Sequence, residues 1–173
     1  MILDDLGVVT AYRMHTPRWA SEPTSGAGAA MHGGRANRPG TAALYLALEM
    51  DTAIREYQQL SPLLPPGTLV SYTVHARPLV DFRGNYDAER WAPLWEEFDC
   101  DWRALWFGQR VEPPSWVLGD EAIAAGAKGI VFRSATESGG TNLVLFVDAL
   151  DVDDTLTVFD PKGALPKNQD SWR

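Results

Sequence analysis

Three residues along one segment of the chain, Arg35, Tyr45 and Glu56, have side chains suited to a charged ligand. Arg35 follows Gly33 and Gly34, whose missing side chains let the backbone bend sharply and approach a ligand. Tyr45 lies in an otherwise apolar stretch, and Glu56 lies in a segment with helical periodicity. Arginine binds phosphate groups in bidentate geometry, and a carboxylate stabilises positive charge. The segment therefore predicts a binding or catalytic site.

Glu56 also has a plainer interpretation, which the residues alone favour. Helical spacing places it on one face with Ala53, Tyr57 and Leu60, and an unpaired carboxylate beside an apolar face is costly to bury. Glu56 is therefore either functional or a partly exposed helix residue paired with Arg55 or another arginine.

The familiar nucleotide and hydrolase motifs are absent. Gly26 and Gly28 begin a GxGxxG pattern, but Met31 stands where the third glycine is required. There is no GxxxxGK[ST] loop and no GxSxG turn. The three histidines are widely separated and Cys100 is the single cysteine, so the sequence predicts neither a metal site nor an intrachain disulfide.

The spacing of apolar residues and chain breakers predicts the elements that position these residues. Residues 14–41 are rich in Gly and Pro and are expected to form a long loop. Helices are predicted at Thr52–Leu60 with Asp51 as N-cap, at Asp87–Phe98, and in a small-residue segment that Asp120 caps and that ends near Gly126 and Gly129. Strands are predicted at Val8–Arg13, Ala43–Leu48, Thr68–Ala76, Gly129–Arg133, Asn142–Val147 and Thr155–Phe159.

These elements do not alternate as regular βαβ units, which favours an α+β fold. The 173 residues predict one compact domain, with its core at about 8–160 and an irregular tail. Five of the seven tryptophans lie in 91–116, where a core role is the default and an exposed anchor for a protein partner is the alternative.

Charge and composition restrict the ligand class and the compartment. The net charge of −8 disfavours direct nucleic-acid binding. Twelve of the fifteen basic residues are Arg, which suits a small dianion and equally reflects a codon bias. No apolar run is long enough for a membrane span, and two aspartates near the N-terminus are unlike a signal peptide, so a cytoplasmic location is expected.

The order of these residues resembles the RES family, the toxins of bacterial RES–Xre toxin–antitoxin pairs. The first half of the resemblance is specific, the second half is looser, and together they cover about residues 8 to 160. One departure is Ala36, where the family commonly has Trp after the signature Arg. The matching elements are the Tyr12–Arg13 pair, SGxGAxxxGGR at Ser25–Arg35, Asn37, Leu44–Leu46, Glu56, Ser134 and Asn142–Phe146.

The resemblance implies an ADP-ribosyltransferase-like fold, with split or mixed β-sheets flanked by helices, and a site that cleaves NAD⁺ as a consumed substrate without a metal. It implies that Arg35 and Arg13 bind the pyrophosphate and that Glu56 stabilises the ribosyl cation. It also implies that Tyr45, which with Arg35 and Glu56 makes up the expected catalytic residues, stacks on nicotinamide or closes the pocket, and that Ser134 positions the substrate.

The remaining assignments from the resemblance stay open at the level of sequence. His32, Asn37 and Asn142 are expected near the ligand, although Asn142 also suits a strand edge. Structural alternatives are an ion pair for Arg13, a core position for Tyr45 and a turn cap for Ser134. These alternatives rest on the ordinary behaviour of the residue types.

The resemblance leaves two reactions open. ADP-ribose is transferred to a cellular protein, which we favour slightly, or NAD⁺ is degraded by phosphorolysis or hydrolysis. A non-enzymatic acidic binding module is a third hypothesis. The resemblance further implies a cognate Xre-type antitoxin that binds the toxin in an inhibitory hetero-oligomer, with any DNA contact made by the partner.

Overall fold

Eight strands form one mixed sheet in the computed structural model, which describes residues 1–59, 61–136 and 139–170. The strand order is β1-β5-β6-β7-β3-β2-β4-β8, and the neighbours are antiparallel except for the parallel pair β5–β6. The expected α+β class is thus confirmed, with the strands joined in one sheet. The strands are β1 (Leu3–Asp4), β2 (Val9–His15), β3 (Ala43–Ala47), β4 (Thr68–His75), β5 (Leu79–Phe82), β6 (Gly129–Arg133), β7 (Thr141–Phe146) and β8 (Thr155–Val158).

Three α-helices accompany the sheet: α1 (Ala27–His32), α2 (Met50–Gln58) and α3 (Pro114–Ala124). Helix α2 packs over β2 and β3, and α3 packs against β6. Short 3₁₀ turns span Pro17–Trp19, Pro93–Glu97 and Val147–Ala149, and a π-helical turn spans Ala104–Gln109. None of the described helices is long and apolar enough to cross a lipid bilayer.

The residue pattern explains which strands are central. The apolar residues of β6 and β7 form continuous buried runs, as expected for strands covered on both faces. In β4 the buried residues Val70, Tyr72 and Val74 alternate with more exposed ones, which confirms the predicted single apolar face.

Two hydrophobic clusters cover the two faces of the sheet. Ile130 and Phe132 of β6 belong to one cluster, together with α3 and the tryptophan-rich segment, and Val131 belongs to the other. Because side chains alternate along a strand, neighbouring residues of β6 supply opposite cores. The first cluster is aromatic, and the second is mainly aliphatic.

The predicted helix at Asp87–Phe98 is wrong. A turn at Asp87, whose carbonyl accepts from the N–H groups of Arg90 and Trp91, is followed by the 3₁₀ turn Pro93–Glu97. Pro93 cannot donate a helical hydrogen bond, so it fits the start of a turn and not a helix interior. The buried rings of Trp91 and Trp95 surround Phe82 at centroid distances of 4.9 and 5.1 Å. Together with Trp102 and Trp116, these buried rings confirm the expected core role for four of the five tryptophans, whereas residues 107–112 of the same stretch are exposed.

Other local predictions need correction. The loop at 14–41 contains α1, and β5 has no counterpart in the prediction. Helix α2 begins at Met50, so Asp51 lies in its first turn and makes no side-chain cap. Asp120 lies inside α3 and pairs with Arg38 at 2.6 Å. Leu60, the predicted last residue of α2, lies outside the described residues.

Candidate functional site

A cleft of about 460 Å³ opens beside β2, β3 and α2. Its volume lies within the range of small-molecule sites. Glu56 is the one carboxylate among the described lining residues, which also include three arginines. The lining residues are Tyr12, Arg13, Met14, Gly28, Ala29, Gly33, Gly34, Arg35, Tyr45, Leu46, Ala47, Ala53, Glu56, Tyr57, Gln59, Trp102, Arg103, Phe132, Ala135 and Asn142.

Glu56 is held by hydrogen bonds rather than by an ion pair. Its Oε1 accepts from Ser134 Oγ at 2.7 Å and from Asn142 Nδ2 at 2.6 Å. Arg55, the expected alternative partner, lies 4.0 Å from Asp51 instead. Within the described residues, Glu56 forms no salt bridge and its Oε2 has no hydrogen-bond partner. The carboxylate therefore has a fixed orientation and one uncommitted oxygen.

The two partners of this carboxylate, Ser134 and Asn142, belong to different parts of the chain. Ser134 directly follows β6 and is buried, and its Oγ also accepts from the Thr136 N–H at 3.1 Å. It is thus both a turn cap and a support for Glu56. Asn142 lies in β7 and lines the cleft. We call Glu56, Ser134 and Asn142 the carboxylate cluster.

Tyr45 joins β3 to the glycine-rich segment. Its hydroxyl donates to Asn37 Oδ1 at 2.7 Å and accepts from the Ala36 N–H at 3.0 Å. Burial raises the pKa of the Tyr45 hydroxyl, while the nearby charges of Arg35, Arg13 and Arg103 oppose that rise. The hydroxyl therefore stays neutral and structural, and Tyr45 is one of the residues that line the cleft.

Three residues predicted to contact the ligand do not line the cleft: Ser134, which supports Glu56, and Asn37 and His32. Asn37 is buried, and its Nδ2 donates to the carbonyls of Ala29, Arg38 and Thr41 at 3.0 to 3.2 Å. Its side chain is fully used in holding the loop, and it does not line the cleft. His32 is exposed at the end of α1 and is likewise absent from the lining.

Different hydrogen bonds hold the two predicted arginines, Arg35 and Arg13, at the cleft. Arg35 Nη1 donates to the carbonyls of Phe98 and Cys100 at 3.1 and 3.2 Å and lies 3.8 Å from Asp99 Oδ1. Arg13, on β2, donates from Nη1 to the Tyr45 carbonyl at 3.1 Å. Burial lowers the pKa of Arg13, and the described residues offer it no carboxylate within ion-pair distance. The ion-pair alternative for Arg13 is not found there.

Close packing fixes the segment before Arg35. A Cβ on Gly34 would collide with the Tyr45 hydroxyl and come within 2.6 Å of Asn37 Oδ1. Trp116 Nε1 donates to the Gly34 carbonyl at 2.7 Å. Gly119 of α3 packs directly against the carbonyl of Ala36, the position of the family departure. These glycines permit close approach of neighbouring groups and do not act as a hinge.

Sequence reasoning missed Trp102 and Arg103, which also line the cleft. They lie in the tryptophan-rich stretch, outside the residues that carried the resemblance. An arginine next to an aromatic residue was the available signal, because such pairs recur in nucleotide sites. We call Arg13, Arg35 and Arg103 the arginine set. No group of three or more metal-binding side chains occurs among the described residues.

Comparison with known protein families identifies the domain to which this chain belongs. The model of the RES domain matches residues 10–168. This chain belongs to the RES-domain family. The predicted family resemblance is thereby confirmed, and the RES match includes every residue of the carboxylate cluster and the arginine set.

A solved structure supports the RES fold independently. The chain is similar to one in the crystal structure of the M. tuberculosis MbcT–MbcA toxin–antitoxin complex, with 20% identity and a TM-score of 0.58 over 90% of this chain and 84% of that chain. At this identity the likeness shows the fold. A comparison with curated proteins finds no match.

Proposed function

We propose that this RES protein cleaves the nicotinamide–ribose bond of NAD⁺. The observation that supports this most is the Glu56 carboxylate, which Ser134 and Asn142 orient at a cleft that also contains three arginines. NAD⁺ has the complementary charges, a cationic nicotinamide riboside joined to an anionic pyrophosphate. No ion pair between Glu56 and the arginine set neutralises the site within the described chain.

In the proposed reaction, the bond between ribose C1′ and the nicotinamide nitrogen breaks. Its electron pair stays on the nitrogen, which becomes neutral, and positive charge develops on the ribose. Glu56 stabilises that charge and binds a ribose hydroxyl or the acceptor through Oε2. The acceptor then bonds to C1′ and loses its proton. Ser134 and Asn142 keep the carboxylate in place during these steps.

The other cleft residues have binding roles in this proposal. Arg13 and Arg35 bind the pyrophosphate, with Arg35 limited in its movement by the carbonyls of Phe98 and Cys100. The ring of Tyr45 packs against the nicotinamide. Its hydroxyl is committed to Asn37 and Ala36, so we assign it no proton transfer.

The acceptor is tested by incubating the protein with NAD⁺ labelled in its adenylate part, together with cell lysate. We favour transfer to protein, and label in protein would support it. Free ADP-ribose or its 1-phosphate would support degradation by hydrolysis or phosphorolysis. Glu56→Gln is the matched control, since it keeps the shape and hydrogen bonding of the side chain while removing its charge. A non-enzymatic binding module would leave NAD⁺ intact in every sample.

We further propose that the protein is the toxin of a toxin–antitoxin pair, acts in the cytoplasm and arrests growth by consuming NAD⁺ or modifying a protein. The RES domain and the fold likeness to a chain of a toxin–antitoxin complex support this. The partner is an Xre-type antitoxin that binds as an inhibitory hetero-oligomer. DNA contact belongs to that partner, since the net charge of this chain is −8.

Expression of the protein alone and with the product of the adjacent reading frame tests this role. We expect growth arrest in the first case, rescue in the second, and no arrest by Glu56→Gln. Growth that is unaffected by the wild-type protein at detectable levels would contradict the toxin assignment.

A further inference from the structure

The three members of the arginine set differ in how far their donors are already used. Arg35 is bonded to two carbonyls and lies near Asp99, and Arg13 is bonded to the Tyr45 carbonyl. The Arg103 side chain is exposed and makes no hydrogen bond or ion pair with any described residue. All five of its N–H donors are therefore available to a ligand.

The neighbouring carboxylates leave the charge of Arg103 unpaired. Asp101 Oδ1 accepts from the Ala104 N–H at 3.0 Å, and Asp99 lies nearest to Arg35 at 3.8 Å. Elsewhere on the surface Arg38 is paired with both Glu112 and Asp120. Arg103 thus differs from an arginine whose role is to connect loops.

An aromatic platform directs Arg103 toward the cleft. Its Cζ lies 4.5 Å from the centroid of the Trp102 ring, and Trp102 is 7% exposed and lines the cleft. A guanidinium stacked in this way keeps its edge free for hydrogen bonds. The charge of Arg103 also acts on the Tyr45 hydroxyl, where it opposes the rise in pKa that burial causes. Arg103 therefore adds to the positive potential at the centre of the site.

We propose that Arg103 is a further substrate-binding residue, which contacts the pyrophosphate of the dinucleotide in bidentate geometry while stacked on Trp102. This inference rests on the proposed function and extends it to a residue outside the family motif. The geometry favours a phosphate over a carboxylate ligand from another protein, because the cleft already contains two more arginines and is of small-molecule size.

The test uses Arg103→Gln, which removes the charge and keeps most of the length, and Arg103→Lys, which keeps the charge and loses the bidentate fork. Arg110→Gln is the matched control, since Arg110 is exposed in the same segment but does not line the cleft. Steady-state cleavage is measured with NAD⁺ and with nicotinamide riboside, which has the scissile bond but no phosphate. Binding of ADP-ribose is measured by calorimetry on the same proteins.

We expect Arg103→Gln to raise KM for NAD⁺ and Kd for ADP-ribose about tenfold, with kcat little changed, and Arg103→Lys to lie between it and wild type. Arg110→Gln should resemble wild type, and the effect on KM should vanish with nicotinamide riboside. Equal constants for Arg103→Gln and Arg110→Gln, or an equal loss with nicotinamide riboside, would overturn the inference.

The calorimetric arm separates this inference from the proposed function. Wild-type protein that binds ADP-ribose with dependence on Arg103, yet does not cleave NAD⁺, would refute the reaction and support the binding role. Wild-type protein that cleaves NAD⁺ with no dependence on Arg103 would support the reaction and refute the binding role of Arg103. Wild-type protein that neither binds nor cleaves would refute both.

Discussion

The arginine set lines the same cleft as Glu56 and Asn142 of the carboxylate cluster, but the two groups are built in different ways. Glu56 and Asn142 lie on α2 and β7, and Ser134 directly follows β6, so regular elements fix all three. Arg35 lies in the loop before β3 and Arg103 begins the short helical turn that continues as Ala104–Gln109, and hydrogen bonds to loop carbonyls and ring packing position these two side chains. In the proposed reaction the carboxylate cluster acts on the reacting atoms and the arginine set binds the pyrophosphate. Reacting groups need tighter positioning than groups that bind a flexible pyrophosphate, which fits this difference in construction.

Removal of the Glu56 charge should have the largest effect. We expect Glu56→Gln to lower kcat/KM for NAD⁺ about a thousandfold, since charge stabilisation in the transition state is lost. ADP-ribose binding should change little, because the amide keeps the size of the side chain. The measurement is steady-state turnover together with calorimetry. A native rate in folded Glu56→Gln protein would remove the carboxylate cluster from the chemistry.

Substitution of Gly34, which directly precedes Arg35, should have the next largest effect, on the stability of the protein. Gly34→Ala should destabilise the protein by about 3 kcal/mol, because its methyl group has no space beside the Tyr45 hydroxyl. Gly28→Ala is the control, since Gly28 lies in α1 and a Cβ there meets no atom within 4 Å. Chemical denaturation measures both variants. Equal stability of the two would show that the segment before Arg35 adapts freely.

A buried histidine beneath Arg13 makes stability depend on pH. His15 Nε2 and the Tyr72 hydroxyl are 2.6 Å apart, and that hydroxyl donates to the Pro23 carbonyl, so His15 is the donor in its neutral form. Burial, followed by the charge of Arg13, lowers the pKa of His15 to about 4.

The unfolded chain, with a histidine pKa of 6.5, binds a proton before the folded protein does. The stabilisation is therefore complete above pH 6.5 and is lost as the pH falls toward 4. Between about pH 7 and about pH 5 the loss should be about 2 kcal/mol. Denaturation curves at both pH values test this, and His15→Gln, which keeps a donor for Tyr72, should abolish the difference. An unchanged pH dependence in His15→Gln would assign the effect to other groups.

The smallest effect should come from the support of the carboxylate. Ser134→Ala should lower kcat about tenfold, because one hydrogen bond to Glu56 Oε1 is lost while Asn142 still donates. Thr136→Val is a suitable control, since the Thr136 hydroxyl contacts Ser134 and the Gly139 carbonyl but makes no hydrogen bond to Glu56. The pH profile of kcat should shift in Ser134→Ala alone. An identical profile in both variants would reduce Ser134 to a turn cap.

The two parts of the site also differed in how well the sequence predicted them. The RES-like spacing led to Glu56, Ser134 and Asn142, and the structure brings these three side chains together. The arginine set was only partly foreseen. Arg103 belongs to a segment whose periodicity suggested no element, because a π-helical turn at Ala104–Gln109 matches neither helical nor strand spacing.

Fold prediction failed where tertiary packing overrides local pattern. β5 is four residues long and pairs in parallel with β6, a partner almost fifty residues away, so local pattern gives little sign of it. Asn37 is polar and lies beside the signature Arg, which made it a reasonable ligand contact. Its amide instead donates to three backbone carbonyls, of Ala29, Arg38 and Thr41, and this need cannot be recognised before the loop conformation is known.

The late position of β7 in the chain has a consequence during synthesis. β7 lies between β3 and β6 in the sheet, whereas β2 and β3 share a single pair, Tyr12 with Ala47. A nascent chain that ends before Thr141 thus lacks both the strand that joins the two halves and the Asn142 partner of Glu56. The cleft is therefore completed only after β7 has been translated. If the proposed function holds, the chain cannot cleave NAD⁺ on the ribosome before β7 has emerged and paired with β3 and β6.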